Sequence, residues 1–454
     1  MKLPAKGSIK AIPALLALLV VGLGTTDAGL VRQTKLGDRL FQRPFRTQRV
    51  ERPALRRGPR YAADRVLVRF KPDVVDAYAE GLLRSYGFSS IRLIPRIGVY
   101  SVWTSPGVSV AETLAMLRRN GDIEQARPDY RARPADTPND PFFSRYQYNL
   151  RNRGGVLDIG DIQLQTTAGD DIKATPAWDA ARGDPEVVIA ILDSGVDRTH
   201  PDLAAKVISP GWDFANDDED ATDDNWHGTH VAGVAAADTN NAQGIAGVAW
   251  DCKILPVKVA GADGMGFYSW IIDGIIWATD QGAEVINLSM GGDFDDPFLE
   301  DACKYAFDRG VVVVASAGND FGGPVLYPAA YDSYVLAVAA TDYSDQPADF
   351  SNSGPQVDVA APGVYILGPA PQWYVGEGYL PYVFASGTSQ AAPHVSGLAA
   401  LIKSLKPELT PADVMKIIRY TADDVNASVD RGRDDHIGYG RINMERALVP
   451  YILK

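Results

Sequence analysis

The stretch Glu186–Asp197, EVVIAILDSGVD, runs through six consecutive apolar residues and then turns abruptly to Asp-Ser-Gly. A short apolar run without alternation is a strand covered on both faces, as in a parallel sheet. Asp193 falls where that strand ends. The same type of run recurs at 252–259 (CKILPVKV), 283–290 (AEVINLSM), 310–318 (GVVVVASAG) and 334–340 (YVLAVAA). Between them, 268–282 and 298–310 space their apolar residues three and four apart, as amphipathic helices do. Strands alternating with helices predict an α/β domain over 137–454 with a mainly parallel, doubly wound sheet. Ligands of such sheets sit beyond the carboxyl ends of the strands, so the residues that follow each run are the functional candidates.

Four of them make a coherent chemical set. Asp193 follows the first strand, Asn319 lies in ASAGND (315–320), His227 opens a run of small residues in NWHGTHVAGVAAA (225–237), and Ser389 lies in GTSQAAPH (387–394). A serine hydroxyl is a poor nucleophile until a base takes its proton. An imidazole does this near neutral pH, and a buried carboxylate holds its tautomer. An amide N–H and the amino end of a helix stabilise the oxyanion that forms. The other histidines read differently. His200 and His436 fall in loop-like sequence, and His230 and His394 fall among small apolar residues, where packing is expected. His227 and His230 are three apart with no glutamate of the HExxH kind, which argues against a metal pair.

The rest of the chain sets the context. Residues 1–136 hold 24 Lys and Arg against 12 Asp and Glu, whereas the remainder holds 20 against 45. An acidic main domain repels phosphates, which excludes nucleic acid as its partner. The first 28 residues read as an export signal: Lys2, Lys6 and Lys10, an apolar core at 11–24, and a small-residue site ending at Ala28. No later segment is long and apolar enough to predict a membrane span, so no stable membrane association is expected. Residues 29–63 read as a basic, solvated linker, with ten Arg or Lys and two acids within 31–60. Residues 64–136 carry the order β-α-β-β-α-β of a small α+β sandwich, with Ser109 as a helix cap and a Pro-rich boundary from 131. Cys252 and Cys303, the two cysteines, either pair, as a secreted chain permits, or remain buried thiols.

AILDSGVD, HGTHVAG and GTSQAAPH, in that order, resemble the three catalytic motifs of subtilisin-like serine proteases, the subtilases. VINLSMGG, SAGN and DVAAPG match further patterns of the family, and the likeness covers residue 137 to the end. It implies the subtilisin-like fold, with Asp193 as orienting acid, His227 as general base, Ser389 as nucleophile and Asn319 as oxyanion donor. Residues 64–135 resemble the inhibitory propeptides of the family. TPNDP (137–141) and the stretch 211–230 are similar to thermitase-type members, which implies Ca2+ at two places. One set is Asp213, Asp218, Asp220 and Thr222. The other is Asp140, Asp202 and Asn241, with main-chain oxygens near Asp238, Gln243 and Ile245. Oxygen ligands of this kind suit calcium. The resemblance also implies that Gly264, Met265 and Gly266 on one side, and Ser289, Met290 and Gly291 on the other, hold an extended peptide as an added strand. Tyr268, Ile271 and Met290 then line one pocket, and Ala317 and Gly318 wall another, with apolar or aromatic residues preferred. Gln390 stands where many family members carry methionine, which implies resistance to oxidation beside the nucleophile.

These readings converge on a secreted, monomeric, calcium-stabilised serine endopeptidase, made as a self-processing zymogen. Its partners are protein substrates and its own propeptide. A dedicated processing protease and a catalytically silent secreted binding protein are the alternatives.

Overall fold

The computed structural model describes residues 61–130, except 89 and 106, and residues 137–449, except 160, 161, 209 and 210. The expected leader 1–28, the linker as far as residue 60 and the boundary segment 131–136 lie outside the described residues. Two compact units are present.

In the N-terminal unit, Val66, Val68 and Phe70 alternate inward along β1 (Tyr61–Phe70). Then follow α1 (Asp76–Ser85), β2 (Ile91–Ile94), β3 (Val99–Trp103), α2 (Val110–Leu117) and β4 (Ile123–Tyr130). The antiparallel sheet has the order β2-β3-β1-β4, the split sandwich expected. Ser109 caps α2 in a reciprocal capping box with Glu112. β1 begins three residues before the expected start at 64, because Tyr61 still pairs with Tyr130 and their rings meet edge-on.

The second unit has a one-turn helix (Phe143–Tyr146) before a hairpin of β5 (Gly155–Asp158) and β6 (Gln163–Thr166). Its main elements follow in the order β7 (Val188–Asp193), β8 (Trp212–Asp213), α3 (His227–Ala236), β9 (Lys253–Lys258), α4 (Tyr268–Asp280), β10 (Val285–Leu288), α5 (Pro297–Asp308), β11 (Val312–Ser316), β12 (Val335–Thr341) and β13 (Val357–Pro362). A second hairpin, β14 (Ile366–Pro369) with β15 (Tyr382–Ala385), leads into α6 (Thr388–Leu405) and α7 (Pro411–Thr421). The seven-stranded sheet is parallel throughout, in the order β13-β12-β11-β10-β7-β9-β8. The chain lays β9 on one side of β7 and β10 on the other. The strand order therefore reverses at β7, and a crevice opens there at the carboxyl end.

The apolar runs are explained by two layers. Ile189 and Ile191 pack with α3, α6 and α7 on one face, and Ala190 and Leu192 with α4 and α5 on the other. Cys252 belongs to the first layer and Cys303 to the second. Both are free and buried, so the two-thiol reading holds and the disulfide does not. Burial pushes the Cys303 thiol up to about 12 and raises that of Cys252. α6 is buried from Thr388 to Lys403, which its Ala, Gly and Ser residues permit.

Candidate active site

Asp193 ends β7 and is buried. Its Oδ1 accepts the Nδ1–H of His227 at 2.8 Å and the N–H of Ser194 at 2.8 Å. His227 is the first residue of α3. Closeness of that helix to the turn after Asp193 demands Gly228: a Cβ there would lie 2.1 Å from the Gly195 oxygen. The turn and the helix are also tied by Asp223. Its carboxylate accepts from the Ser194 hydroxyl (2.8 Å), from the N–H of Asn225 (3.0 Å), Trp226 (2.9 Å) and Thr229 (2.9 Å), and from the Thr229 hydroxyl (2.5 Å). Ser194 Oγ in turn accepts the Gly228 N–H at 3.0 Å. Beneath the same turn lies Lys258, 1 % exposed. Its ammonium donates to the oxygens of Ser194 (2.9 Å) and Ala260 (2.9 Å) and to Asp224 Oδ1 (2.5 Å).

Ser389 is the second residue of α6. Pro393, one turn on, has no N–H to give its carbonyl. The hydroxyl of Ser289 supplies the missing donor at 2.9 Å, while the Ser389 hydroxyl donates to the Ser289 oxygen at 2.9 Å. This exchange couples the amino end of α6 to the residue following β10. Asn319 is oriented by its acceptor: Oδ1 takes the Thr388 N–H at 2.8 Å and the Thr388 hydroxyl at 3.0 Å. The Nδ2 end is thereby directed along the Gly387–Ser389 segment, 3.6 Å from a Cβ built on Gly387. Gly318, at φ +110°, holds a backbone conformation that L side chains rarely adopt. Asn352 braces that turn through Asp320 and Pro324.

These elements surround a groove of about 480 Å³. Asp193, His227 and Asn319 line it, with Gly264, Met265, Gly266, Tyr268, Ile271, Ser289, Met290, Gly291 and Gly318. Ser389, which is buried, is not among its lining residues, and neither is Ala317. Strand alternation turns Ala317 into the core, where it is fully buried, and Ser316 and Leu326 line the groove instead. Of the remaining histidines, His436 is exposed and the other three are buried. Burial drives His230 down to about 3 and His394 to about 4. Each uses a ring N–H on a carbonyl, that of Ile366 and Gln390 respectively. His200, read as a loop residue, is buried: its Nε2–H reaches the Pro381 oxygen, and its Nδ1 accepts the Asp202 N–H. Gln390 is buried, and its Nε2 has no partner among the described protein atoms.

The two calcium candidates differ. Asp140 and Asp202 are buried together near the turn at 238–245. Asp140 accepts the N–H of Asn240 and Asn241, and Asp202 accepts Asn241 Nδ2, the Ile245 N–H and the Tyr382 hydroxyl. Burial first, and then the neighbouring Asp202, raises Asp140 to about 7. Burial likewise raises Asp202. Two desolvated carboxylates joined through Asn241 suit a hard cation. Asp213 and Asp218 pair through their main chains, and the carboxylates of Asp213, Asp218 and Asp220 are spent on nearby donors instead. Asp213 accepts the N–H of Ala215 and Asn216, Asp218 that of Asp220, and Asp220 the Thr222 hydroxyl. Among the described residues no three His, Cys, Asp or Glu side chains stand close enough to hold a metal.

Sequence reasoning passed over Asp223, Lys258, Ser289 as a brace, Trp226 and Thr388. The signal for Lys258 was present: a lone charge inside the apolar strand ILPVKV.

Asp193, His227 and Asn319 line one groove where the parallel sheet reverses its strand order, and the amino end of α6, which carries Ser389, is held to Asn319 through Thr388; this is the set of groups that a serine hydrolase uses. The pattern of the Subtilase family matches residues 184–440, and that of the fervidolysin N-terminal prodomain matches residues 49–129. The chain belongs to the subtilase family of serine proteases. It is 40 % identical over 392 residues to a thermophilic serine proteinase of Bacillus sp. (strain AK1), covering 86 % of this chain and 88 % of that protein. It is 41 % identical over 312 residues to thermitase of Thermoactinomyces vulgaris, covering 69 % and 99 %. The crystal structure of fervidolysin from Fervidobacterium pennivorans, a keratinolytic enzyme related to subtilisin, is similar with a TM-score of 0.56 at 30 % identity, covering 86 % of this chain and 61 % of that one. Similar proteins include both extracellular and intracellular proteases by name.

Proposed function

We propose that this chain is a secreted serine endopeptidase, made as a precursor that removes its own propeptide. The 2.8 Å contact between Asp193 and His227 beside the amide of Asn319 carries the reading. Ser389 Oγ attacks the peptide carbonyl as its proton passes to His227 Nε2. The new C–O bond gives a tetrahedral oxyanion, held by Asn319 Nδ2 and the Ser389 N–H. The C–N bond then breaks and His227 returns the proton to the leaving amine. Water repeats the sequence on the acyl-enzyme. Asp193 keeps the imidazole tautomer. Segments 264–266 and 289–291 bind the acyl side as an added strand. Asp140, Asp202 and Asn241, with oxygens at Asp238, Gln243 and Ile245, hold one Ca2+, which supplies stability rather than chemistry. The enzyme acts as a monomer. Residues 64–136 inhibit it until they are removed.

The test is labelling of purified protein with a fluorophosphonate, alongside hydrolysis of an unstructured protein. Labelling at Ser389, lost in Ser389→Ala together with hydrolysis and precursor cleavage, is the expected result. A soluble, folded wild type that takes no label is a silent binding protein, and the reading is then wrong.

A further inference from the structure

Trp226 holds a backbone conformation that bulky residues avoid, with φ +98°, immediately before His227. Such an outlier persists where its surroundings compensate, and it points to use. Its ring stacks on Tyr374 at 5.2 Å and 21° and stands edge-on to His227 at 5.6 Å. Trp373, 58 % exposed, stands edge-on to Tyr374 at 5.9 Å. Ala370, Val375 and Val383 pack beneath this group as a small apolar cluster of their own.

We propose that Trp226, seated on Tyr374, is the platform for the substrate residues that follow the scissile bond, and that it selects aromatic or large apolar side chains there. Three observations carry this. First, Trp226 lines the same groove as Asp193, His227 and Asn319. Second, Asn225 and Trp226 diverge. Asn225 reaches Ala262 at 3.1 Å, beside Gly264 on the acyl-side segment, whereas Trp226 leans on the turn carrying Tyr374. Third, the leaving amine takes its proton from His227, so the departing chain begins beside the imidazole that Trp226 flanks. An aromatic face there meets the first and second residues beyond the bond. A positioned ring pair adds roughly tenfold in binding. Trp226 is thus a specificity residue for the leaving side, where the acyl-side segments have no reach.

The inference rests on the endopeptidase reading, and the experiment separates the two. Wild type is assayed on a peptidyl methyl ester, which has no residues beyond the bond, and on internally quenched peptides with one acyl half and Phe or Gly at the first or second leaving-side position. Ester hydrolysis together with a kcat/KM about tenfold higher for Phe than for Gly is expected. In Trp226→Gly the Phe-to-Gly ratio should fall to near one. Glycine suits φ +98°, so folding is not at issue. Tyr374→Ala should lower the ratio in the same direction, and Trp226→Phe should retain most of it. If wild type cleaves neither the ester nor the peptides, the endopeptidase reading fails and this inference with it. If the ester is cleaved but the ratio is near one in wild type, or unchanged in Trp226→Gly, the platform alone is wrong.

Discussion

Two places in this molecule bury carboxylates, and they deal with the charge differently. Asp193 has an imidazole N–H and a main-chain N–H on one oxygen, so its negative charge is answered by a group that becomes cationic during turnover. Asp140 and Asp202 have N–H and hydroxyl donors but no cationic partner in their hydrogen bonds, and their pKa values rise. The first arrangement draws its imidazole partner from the protein itself and suits catalysis. The second suits an ion brought from outside. The run 213–224, buried at Asp213 and Asp223 and exposed at most of its other acids, is a third case. It is the most acidic stretch of sequence, yet its side chains are used up in local turns or paired with Lys258 and Arg198. Charge density along a sequence is therefore a poor guide to a cation site. Convergence of distant carboxylates in a dry place is a better one.

Substitutions can break this contrast, beginning with the largest effect. Asp193→Asn should lower kcat about 10⁴-fold, the loss seen when the acid of such triads is replaced, while the calcium response of the melting curve stays as in wild type. Peptide hydrolysis and melting with and without calcium measure both. A stability effect dominating over kcat would mean that Asp193 is structural. Chelation should act the other way. A cation at a hundredfold its Kd adds about 2.7 kcal/mol to the native state, so melting should fall by roughly 4 °C when it is removed from a domain of this size. Coincident curves with and without EDTA would remove calcium from the account. Asp202→Asn sharpens the comparison. It takes away one of the two facing charges, so the chelator-sensitive part of the melting temperature should vanish while kcat on peptides is retained. Asp220→Ala should be the smallest effect, within about 0.5 kcal/mol, with the chelator response unchanged. A lost response would move the ion to the exposed turn.

Much of the fold was legible because covered parallel strands leave an unbroken apolar signature. β7, β9, β10, β11 and β12 were all expected within a residue or two of their observed ends. β13, β14 and β15 were not. Their residues are Ala, Pro and Gly as often as Val or Ile, and β14 and β15 depend on pairing with each other, which no local pattern records. The four residues at strand and helix ends were legible because acyl transfer needs those types at those ends. What braces them was not. Asp223 looked like one acid among many until its five donors came from both the turn after β7 and residues 225–229. Ser289 became a brace only because Pro393 leaves the Ser389 carbonyl without its helical partner.

The sequence by itself determined the alternation of covered apolar strands with helices, the small N-terminal sandwich, the four groups proposed to carry the chemistry and the two acidic regions. These follow from periodicity and from residue type, which are local properties of a chain. Tertiary structure alone decided that Ala317 faces the core, that Asp140 and Asp202 share Asn241 while the carboxylates of Asp213, Asp218 and Asp220 are spent on nearby donors, that the two thiols lie on opposite layers, and that Trp226 rests on Tyr374 across nearly 150 residues of chain. The physical reason is common to all four. Burial, and the distance between groups far apart in sequence, are set by how the layers pack, and both charge and stacking energies depend on them.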